Sequence, residues 1–355
     1  LADAKPAKPK RLFLKQPQML RVVYALVPIA LAGVYFFGWR VLALLAVCVT
    51  AGLGVEWLME SRRGKPISQA CLVTGFLYAL SLPPTMPYWM AVVGIVVAIL
   101  FGKMVFGGFG RNFVNPAILG RAFVYVAFPV AMTGSFVPAF RGFPGGFAAW
   151  SFTSSERAPE WLAPAAERSV DAVTAATAMW ARRDFGHDTP VPDLFLGTIG
   201  GTFEGPTGPK VLAAGSIGEV SALLIVLAGI YLVATRTANW RLTTGALGGT
   251  VAAVLLFRNV LGYDGVPPLP FALCSGALLY AAVFMVTDPV SAPKTKPAIW
   301  VYGVLIGVLI VFLRWKSQFA GAVGFAILLG NVVGPSLDMA ANAWQEWRKG
   351  RGAAA

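Results

Sequence analysis

The chain is poor in the side chains that hold metals and carry charge. It has three cysteines and one histidine among 355 residues. Cys48, Cys71 and Cys274 all fall in apolar runs, with no C-x-x-C spacing. That argues against a disulfide framework, and three scattered thiols cannot hold an iron–sulfur cluster alone. They read as small buried hydrophobes. His187 lies in a polar loop, and one histidine makes no zinc site. Charged residues are only 13% of the chain, against about a quarter in soluble domains. What fills the space is apolar: hydrophobic residues make up 57% of the sequence and the mean hydropathy is +0.68. The bulk of such a chain cannot face water.

Apolar runs predict spans near 19–37, 41–59, 67–82, 86–102, 117–134, 211–235, 242–257, 268–287, 298–313 and 319–340. An all-α polytopic membrane protein of about ten helices follows, since a span needs roughly 20 residues. The third run ends in Ser81-Leu82-Pro83-Pro84 and reads as a broken or half-length helix, tolerated only where protein or a cavity satisfies the freed backbone. The opening residues, LADAKPAKPKRLFLKQPQ, show no signal-peptide pattern and read as a basic cytoplasmic tail. The net charge of +13 would suit nucleic acid in a soluble protein. Here it follows the positive-inside rule. With the N-terminus inside, seventeen Lys and Arg fall on the inner side, Lys103 and Arg111 among them. Short outer loops hold four: Arg40, Arg258, Arg314 and Lys316. The bias predicts a multi-pass protein of a bacterial-type inner membrane, both termini cytoplasmic and the long loop outside.

The expected organisation is a tail (1–18), five spans (19–134), an extracytoplasmic loop (135–210), five more spans (211–345) and a cytoplasmic tail (346–355). Asn112-Phe-Val-Asn115-Pro116-Ala-Ile118 echoes Asn331-Val-Val-Gly-Pro335-Ser-Leu337. Both read N-x-V-x-P-small-aliphatic near the end of a five-span half. Two halves with an odd number of spans are inverted relative to each other, an arrangement that places a site near the midplane.

Three sets of residues could carry chemistry. In Phe101–Ala117, Gly107, Gly108 and Gly110 let backbone approach a ligand. Arg111, Asn112 and Asn115 add donors suited to a phosphate or to flavin carbonyls. A Gly-rich helix-packing turn explains the same residues. Asp171-Ala-Val-Thr174-Ala-Ala-Thr177 in the long loop reads, on its own, as a plain amphipathic segment. Glu56, Glu219, Asp288 and Asp338 lie in or at the ends of spans, where carboxylates are costly and mark ion pathways by default. For Glu56 and Asp288 an interfacial helix-end carboxylate is an equal reading.

YFFGWR, LVTGFLYALSLPPTMPYW, FGKMVFGGFGRNFVNPAILGRAF, GSIGEVSALL and MVTDPVSAP together resemble the family comprising the B subunit of the sodium-pumping NADH:quinone reductase (Nqr) and the D subunit of the Rnf complex. The resemblance implies ten helices in two inverted five-helix repeats, akin to urea and ammonium channels. It implies FMN esterified to a threonine in D-x-x-[ST]-x-A-[ST], matched here by Asp171, Thr174, Ala176 and Thr177. Ala175 stands where most members have glycine. A flavin transferase, other subunits of the complex (one also flavinylated), a quinone, Na⁺ or H⁺, and a noncovalent riboflavin in Nqr-type members are implied too. Cation coupling through Glu56, Glu219, Asp288 and Asp338 is carried over likewise. The short N-terminus and YFFGWR resemble Rnf members. GGFGRNFVNPAILGRAF, with Arg111 and Arg121, is closer to Nqr. The expected function is a membrane electron-transfer subunit of a redox-driven ion-translocating oxidoreductase, not catalytic alone. The rival is a channel or transporter for a small solute without a redox cofactor, since fold does not fix function.

Overall fold

Proline and glycine set many of the element boundaries. The first long helix begins at Pro17, whose missing N–H costs nothing in a first helical turn, and stops at Gly38, where φ is +95°. The computed structural model describes residues 12–134, 136–152, 176–205, 208–317 and 321–353. In chain order the helices are α1 (Pro17–Phe37), α2 (Arg40–Arg62), α3 (Ala70–Leu80), α4 (Tyr88–Met104), α5 (Pro116–Ala127) and α6 (Pro129–Thr133). Then follow α7 (Ala178–Phe185), α8 (Val191–Leu196), α9 (Ala222–Ala234), α10 (Trp240–Val260) and α11 (Leu269–Cys274). The set closes with α12 (278–285), α13 (Lys296–Lys316) and α14 (Ala322–Ala353). Among the described residues five stretches are long and apolar enough to cross a membrane: α1, α2, α10, α13 and Ala322–Lys349 of α14. Shorter apolar helices α3, α4, α5 and α9 fill the bundle between them.

The expectation of a purely helical chain is corrected by two small sheets. β1 (Phe13–Leu14) pairs in parallel with β2 (Ile67–Ser68). β5 (Gly208–Ala213) lies between β3 (Ala176–Thr177), in parallel, and β4 (Thr202–Gly205), antiparallel. β5 also corrects the expected span 211–235. Its apolar Val211-Leu-Ala-Ala is strand and turn, and the helix that follows has 13 residues. The run 117–134 breaks at Phe128, ahead of Pro129, because the residue before proline is driven out of helical geometry. The run 268–287 breaks at Ser275-Gly276, with Gly276 at φ +61°.

The two deepest breaks are each held by an arginine, and they meet. After α3, the Arg40 guanidinium donates to the carbonyls of Pro84 and Met86. After α11, Arg314 donates to the carbonyls of Ala272 (3.3 Å) and Ser275 (3.1 Å). Freed backbone groups inside a membrane protein need such partners. Ile217 N–H donates to the Leu82 carbonyl (3.2 Å), and the Tyr280 hydroxyl to that of Leu77 (3.3 Å). The two discontinuities therefore share one buried centre.

Lipid tails offer no hydrophobic drive between helices, so close packing must hold the bundle. α10 packs closely on α13 through Gly245, Gly249, Gly303 and Gly307. A Cβ on Gly307 would stand 2.1 Å from the Ala246 carbonyl oxygen. In the first half α2 packs on α4 and α4 on α5; in the second, α10 packs on α13 and α13 on α14. The two echoed motifs touch across the halves. Asn115 N–H donates to Asn331 Oδ1 (2.9 Å), and Asn331 Nδ2 to the Tyr302 hydroxyl (2.6 Å).

The helix α2 sets the scale. At its start, Trp39 and Arg40 N–H groups donate to the carbonyls of Ala149 and Trp150, in the long connection. At its far end, Gly108 packs on the Glu60 carboxylate. The two ends lie about 34 Å apart at 1.5 Å per residue. They are called the loop end and the tail end below; β1 and β2 lie at the tail end.

Candidate functional site

Each end carries a cavity with charged side chains in a largely apolar lining. The loop-end cavity measures about 820 Å³ and is lined from several elements. Thr177 reaches it as the last residue of β3, in register with Ala213 of β5. Extended backbone (φ −64°, ψ 158°) makes Thr177 the N-cap of α7, yet its hydroxyl makes no capping bond. It is half-buried at the positive end of the α7 dipole. Arg183 comes from the same helix, Arg121 from α5 and Arg314 from the end of α13; Asp184 and Glu219 are the acids in the lining. Tyr125 and Trp180 supply aromatic wall.

Local bonds fix these side chains. Arg183 Nε donates to Asp184 Oδ1 (2.6 Å), and Trp180 Nε1 donates to Asp184 Oδ2. The Arg183 hydrogen bond holds the Asp184 carboxyl below the usual carboxylate range. The same bond pushes the Arg183 guanidinium up. Arg183 also reaches the Ser317 carbonyl (3.3 Å), tying α7 to the end of α13. Ser275, at the break, donates to Met179 Sδ (3.0 Å). Glu219 sits in a short 3-10 turn, Ile217–Glu219, where a capping box closes it: its Oε1 accepts from Ser216 N–H at 2.7 Å.

The tail-end cavity is small, about 70 Å³. Lys103, Asn112, Asn115 and Asp288 line it among apolar neighbours. Asn115 is the N-cap of α5, its Oδ1 accepting from Ala117 and Ile118 N–H. Asn112 Nδ2 donates to the Val114 carbonyl (3.0 Å). Asp288 accepts from Val290 N–H and the Ser291 hydroxyl, both at 3.0 Å. Behind this cavity lies a buried ion pair. Lys103 Nζ is 2.5 Å from Glu56 Oε2 and 2.6 Å from Ser68 Oγ.

The structure thus divides the expected site residues. Thr177 and Glu219 share the loop-end cavity. Asn112, Asn115 and Asp288 share the tail-end one, with Glu56 behind it. Gly107, Gly108 and Arg111 line neither. Gly107 (φ +102°) and Gly108 (φ +98°) make a turn that packs on Arg111 and on Glu60 of α2, and Arg111 is exposed. The glycine turn and Thr177 lie at opposite ends of α2. Glu219, read as lying deeper than a span end, sits in a turn; Asp338 lies within α14, in the stretch long enough to cross a membrane, and caps α13. Asp338 accepts from the N–H groups of Lys294 and Thr295 and from the Thr295 hydroxyl, at the N-terminus of α13. Asp171 and Thr174 lie outside the described residues. Sequence reasoning missed Lys103, Arg121 and Arg314. Arg121 sits inside an apolar run, and an intramembrane cation is the signal that would have found it.

Five long apolar helices, with the breaks between them held by arginines, define a multi-pass membrane protein. The chain belongs to the NQR2, RnfD, RnfE family, whose model matches residues 14–344. It is 35% identical over 303 residues to the B subunit of the Na(+)-translocating NADH-quinone reductase of Azotobacter vinelandii, covering 84% of this chain and 66% of that protein. The protein of the same name from Pseudomonas aeruginosa is 34% identical over 288 residues, 80% of this chain and 62% of the relative. That from Pseudoalteromonas atlantica is 34% identical over 314 residues, 87% and 67%. The chain spans about two thirds of the length of the curated relatives it matches.

Proposed function

We propose that this chain is the membrane electron-transfer subunit of a redox-driven, Na⁺- or H⁺-translocating oxidoreductase, with FMN esterified to Thr177. The observation that carries the reading is the placement of Thr177: a hydroxyl at a helix N-cap, free of any capping bond, opening on a cavity lined by three arginines. The residues fit the group. A cavity of about 820 Å³ lies in the range that encloses a cofactor-sized ligand, roughly 300–1,000 Å³. When bound, FMN supplies the electron chemistry; the protein supplies position and electrostatics.

The chain's own work is then plain. Thr177 tethers, and the α7 N-terminus favours an anionic phosphoester beside it. Arg121, Arg183 and Arg314 hold positive charge inside the protein, where electrostatics are stronger than in bulk water. Tyr125 and Trp180 give flat apolar surface. The chain is proposed to act with partner subunits, one of them also flavinylated, after modification by a flavin transferase, with quinone as an acceptor within the complex. The like packing order of the two halves and the Asn115–Asn331 contact support two repeats within a ten-span bundle; the bias of Lys and Arg supports cytoplasmic termini and an extracytoplasmic loop. Glu56, Glu219, Asp288 and Asp338 are the proposed cation-coupling carboxylates. Phe109, Gly110 and Arg111, just after the glycine turn, are exposed at the tail end and free to face a partner. Asn112 and Asn115 have donors suited to flavin carbonyls. A cavity of about 70 Å³ does not hold a riboflavin, so no role is derived through that group.

The test is a denaturing gel of the natively produced chain under ultraviolet light. A fluorescent band is expected, and Thr177→Ala abolishes it. A band that survives Thr177→Ala refutes the attachment site. No band in the unaltered chain refutes the tethered flavin and favours the solute-channel alternative.

A further inference from the structure

The Glu56–Lys103–Ser68 cluster is a costly feature of the bundle, and no part of the electron-transfer reading uses its lysine. Glu56 is 1% exposed, Lys103 2% and Ser68 3%. Glu56 Oε1 accepts from Ser68 N–H (2.9 Å) and from the Ser68 hydroxyl (2.7 Å). Its Oε2 takes Lys103 Nζ at 2.5 Å, and the same ammonium donates to Ser68 Oγ at 2.6 Å. Two charges are thus removed from water together. Burying such a pair costs desolvation that its attraction rarely exceeds, and apolar residues in its place would hold the fold as well. Stability alone gives no reason for it.

Local geometry aims the lysine. α4 ends in a π turn, Leu100–Met104, which carries Lys103; such turns cluster at functional positions because the extra residue redirects a side chain. Gly102, beside it, lets this turn sit on Pro116 of α5: a Cβ there would stand 2.9 Å from Pro116 Cα. The ammonium has three donors, and two are spent on Glu56 and Ser68. Lys103 also borders the tail-end cavity, whose lining holds a second carboxylate, Asp288. The lysine therefore stands between two acids on a flexible four-carbon stem.

We propose that Lys103 is a tethered competitor for the cation that Glu56 takes up. With Lys103 seated, the Glu56 site is neutral and closed. With Lys103 turned into the cavity toward Asp288, the Glu56 carboxylate and the Ser68 hydroxyl remain as hard oxygen donors for one Na⁺. The exchange is one cation for one, so the charge around Glu56 is unchanged. The inference rests on the reading of Glu56 as a cation-coupling carboxylate.

The experiment uses the whole complex in liposomes. It measures turnover against Na⁺ concentration and binding of radioactive Na⁺ to the purified complex. Lys103→Met keeps the bulk and removes the competitor. It is expected to lower the KM for Na⁺ tenfold or more, raise bound Na⁺ at low concentration, and depress kcat because release slows. Lys103→Arg, a cation that grips a carboxylate with two donors, is expected to raise the KM. An unchanged or raised KM in Lys103→Met overturns the proposal. If that variant does not assemble, Lys103→Arg decides alone, and an unchanged or lowered KM overturns it. Glu56→Gln separates the two readings. If it leaves the Na⁺ dependence intact, the coupling role of Glu56 falls and Lys103 falls with it. If it shifts that dependence while the Lys103 variants do not, only the competitor role falls.

Discussion

Asn331→Leu should be among the most damaging single changes in the bundle. Asn331 is fully buried. It accepts from Asn115 N–H at 2.9 Å and donates to the Tyr302 hydroxyl at 2.6 Å. Leucine matches its size and removes both bonds. The Asn115 N–H and the Tyr302 hydroxyl, itself fully buried, are then stranded. Hydrogen bonds between membrane helices are worth about 0.6 kcal/mol on average. Stranding a buried polar group costs about 1–3 kcal/mol. With two groups stranded the loss is roughly 2–6 kcal/mol. Tyr302→Phe keeps the Asn115 bond and strands only one amide hydrogen, so it should cost about 1–2 kcal/mol. The assay is reversible unfolding in mixed detergent micelles, followed by tryptophan fluorescence. An Asn331→Leu variant no less stable than Tyr302→Phe refutes the reasoning.

Further outcomes follow from other contacts. Arg314→Met removes a positive charge from the loop-end cavity and two donors from the Ser275 break; the flavin proposed on Thr177 should become harder to reduce by about 60 mV, one tenfold step for one electron, read by redox titration. Gly307→Ala puts a methyl 2.1 Å from the Ala246 carbonyl and should cost about 1–3 kcal/mol by overpacking, seen as a lower melting temperature. The Asp184 carboxyl is held below its ordinary value by Arg183, so its contribution is present above the unfolded pKa of about 3.9 and is lost as pH falls through the lower folded value. Thermal stability should therefore hold from pH 7 to about 5 and drop below about 4, less steeply in Asp184→Asn.

The long helices were legible because a run of twenty apolar residues has few other uses. α1, α2 and α13 fall close to their expected bounds for that reason. Val211-Leu-Ala-Ala was not, since hydropathy does not separate a buried strand from a helix end. The Ser81–Pro84 break was visible in its prolines. The Ser275-Gly276 break was not, because both residues are common inside membrane helices and only Arg314, far along the chain, makes the opening tolerable. The Asn112/Asn331 echo was readable as a pattern, but that Asn331 bonds the backbone of Asn115 was not. Lys103 was misjudged for a clear reason. It stands at the end of an apolar run, where a lysine counts toward loop charge; the π turn that draws it inward leaves no mark on composition. Thr177 stood out only through resemblance. Its residues alone read as a plain amphipathic segment, and the two of them that are described, Ala176 and Thr177, form β3.

The β3–β5 pairing has a mechanical consequence. Thr177 is in register with Ala213, and six residues further on the same chain closes the turn that holds Glu219. Hydrogen bonds bind that stretch at both ends: Ala214 N–H to the Val137 carbonyl, and Ile217 N–H to that of Leu82. The stretch 213–219 therefore sets the spacing between the Thr177 hydroxyl and the Glu219 carboxylate. A residue inserted into it should move one relative to the other while leaving the bonds at each end in place.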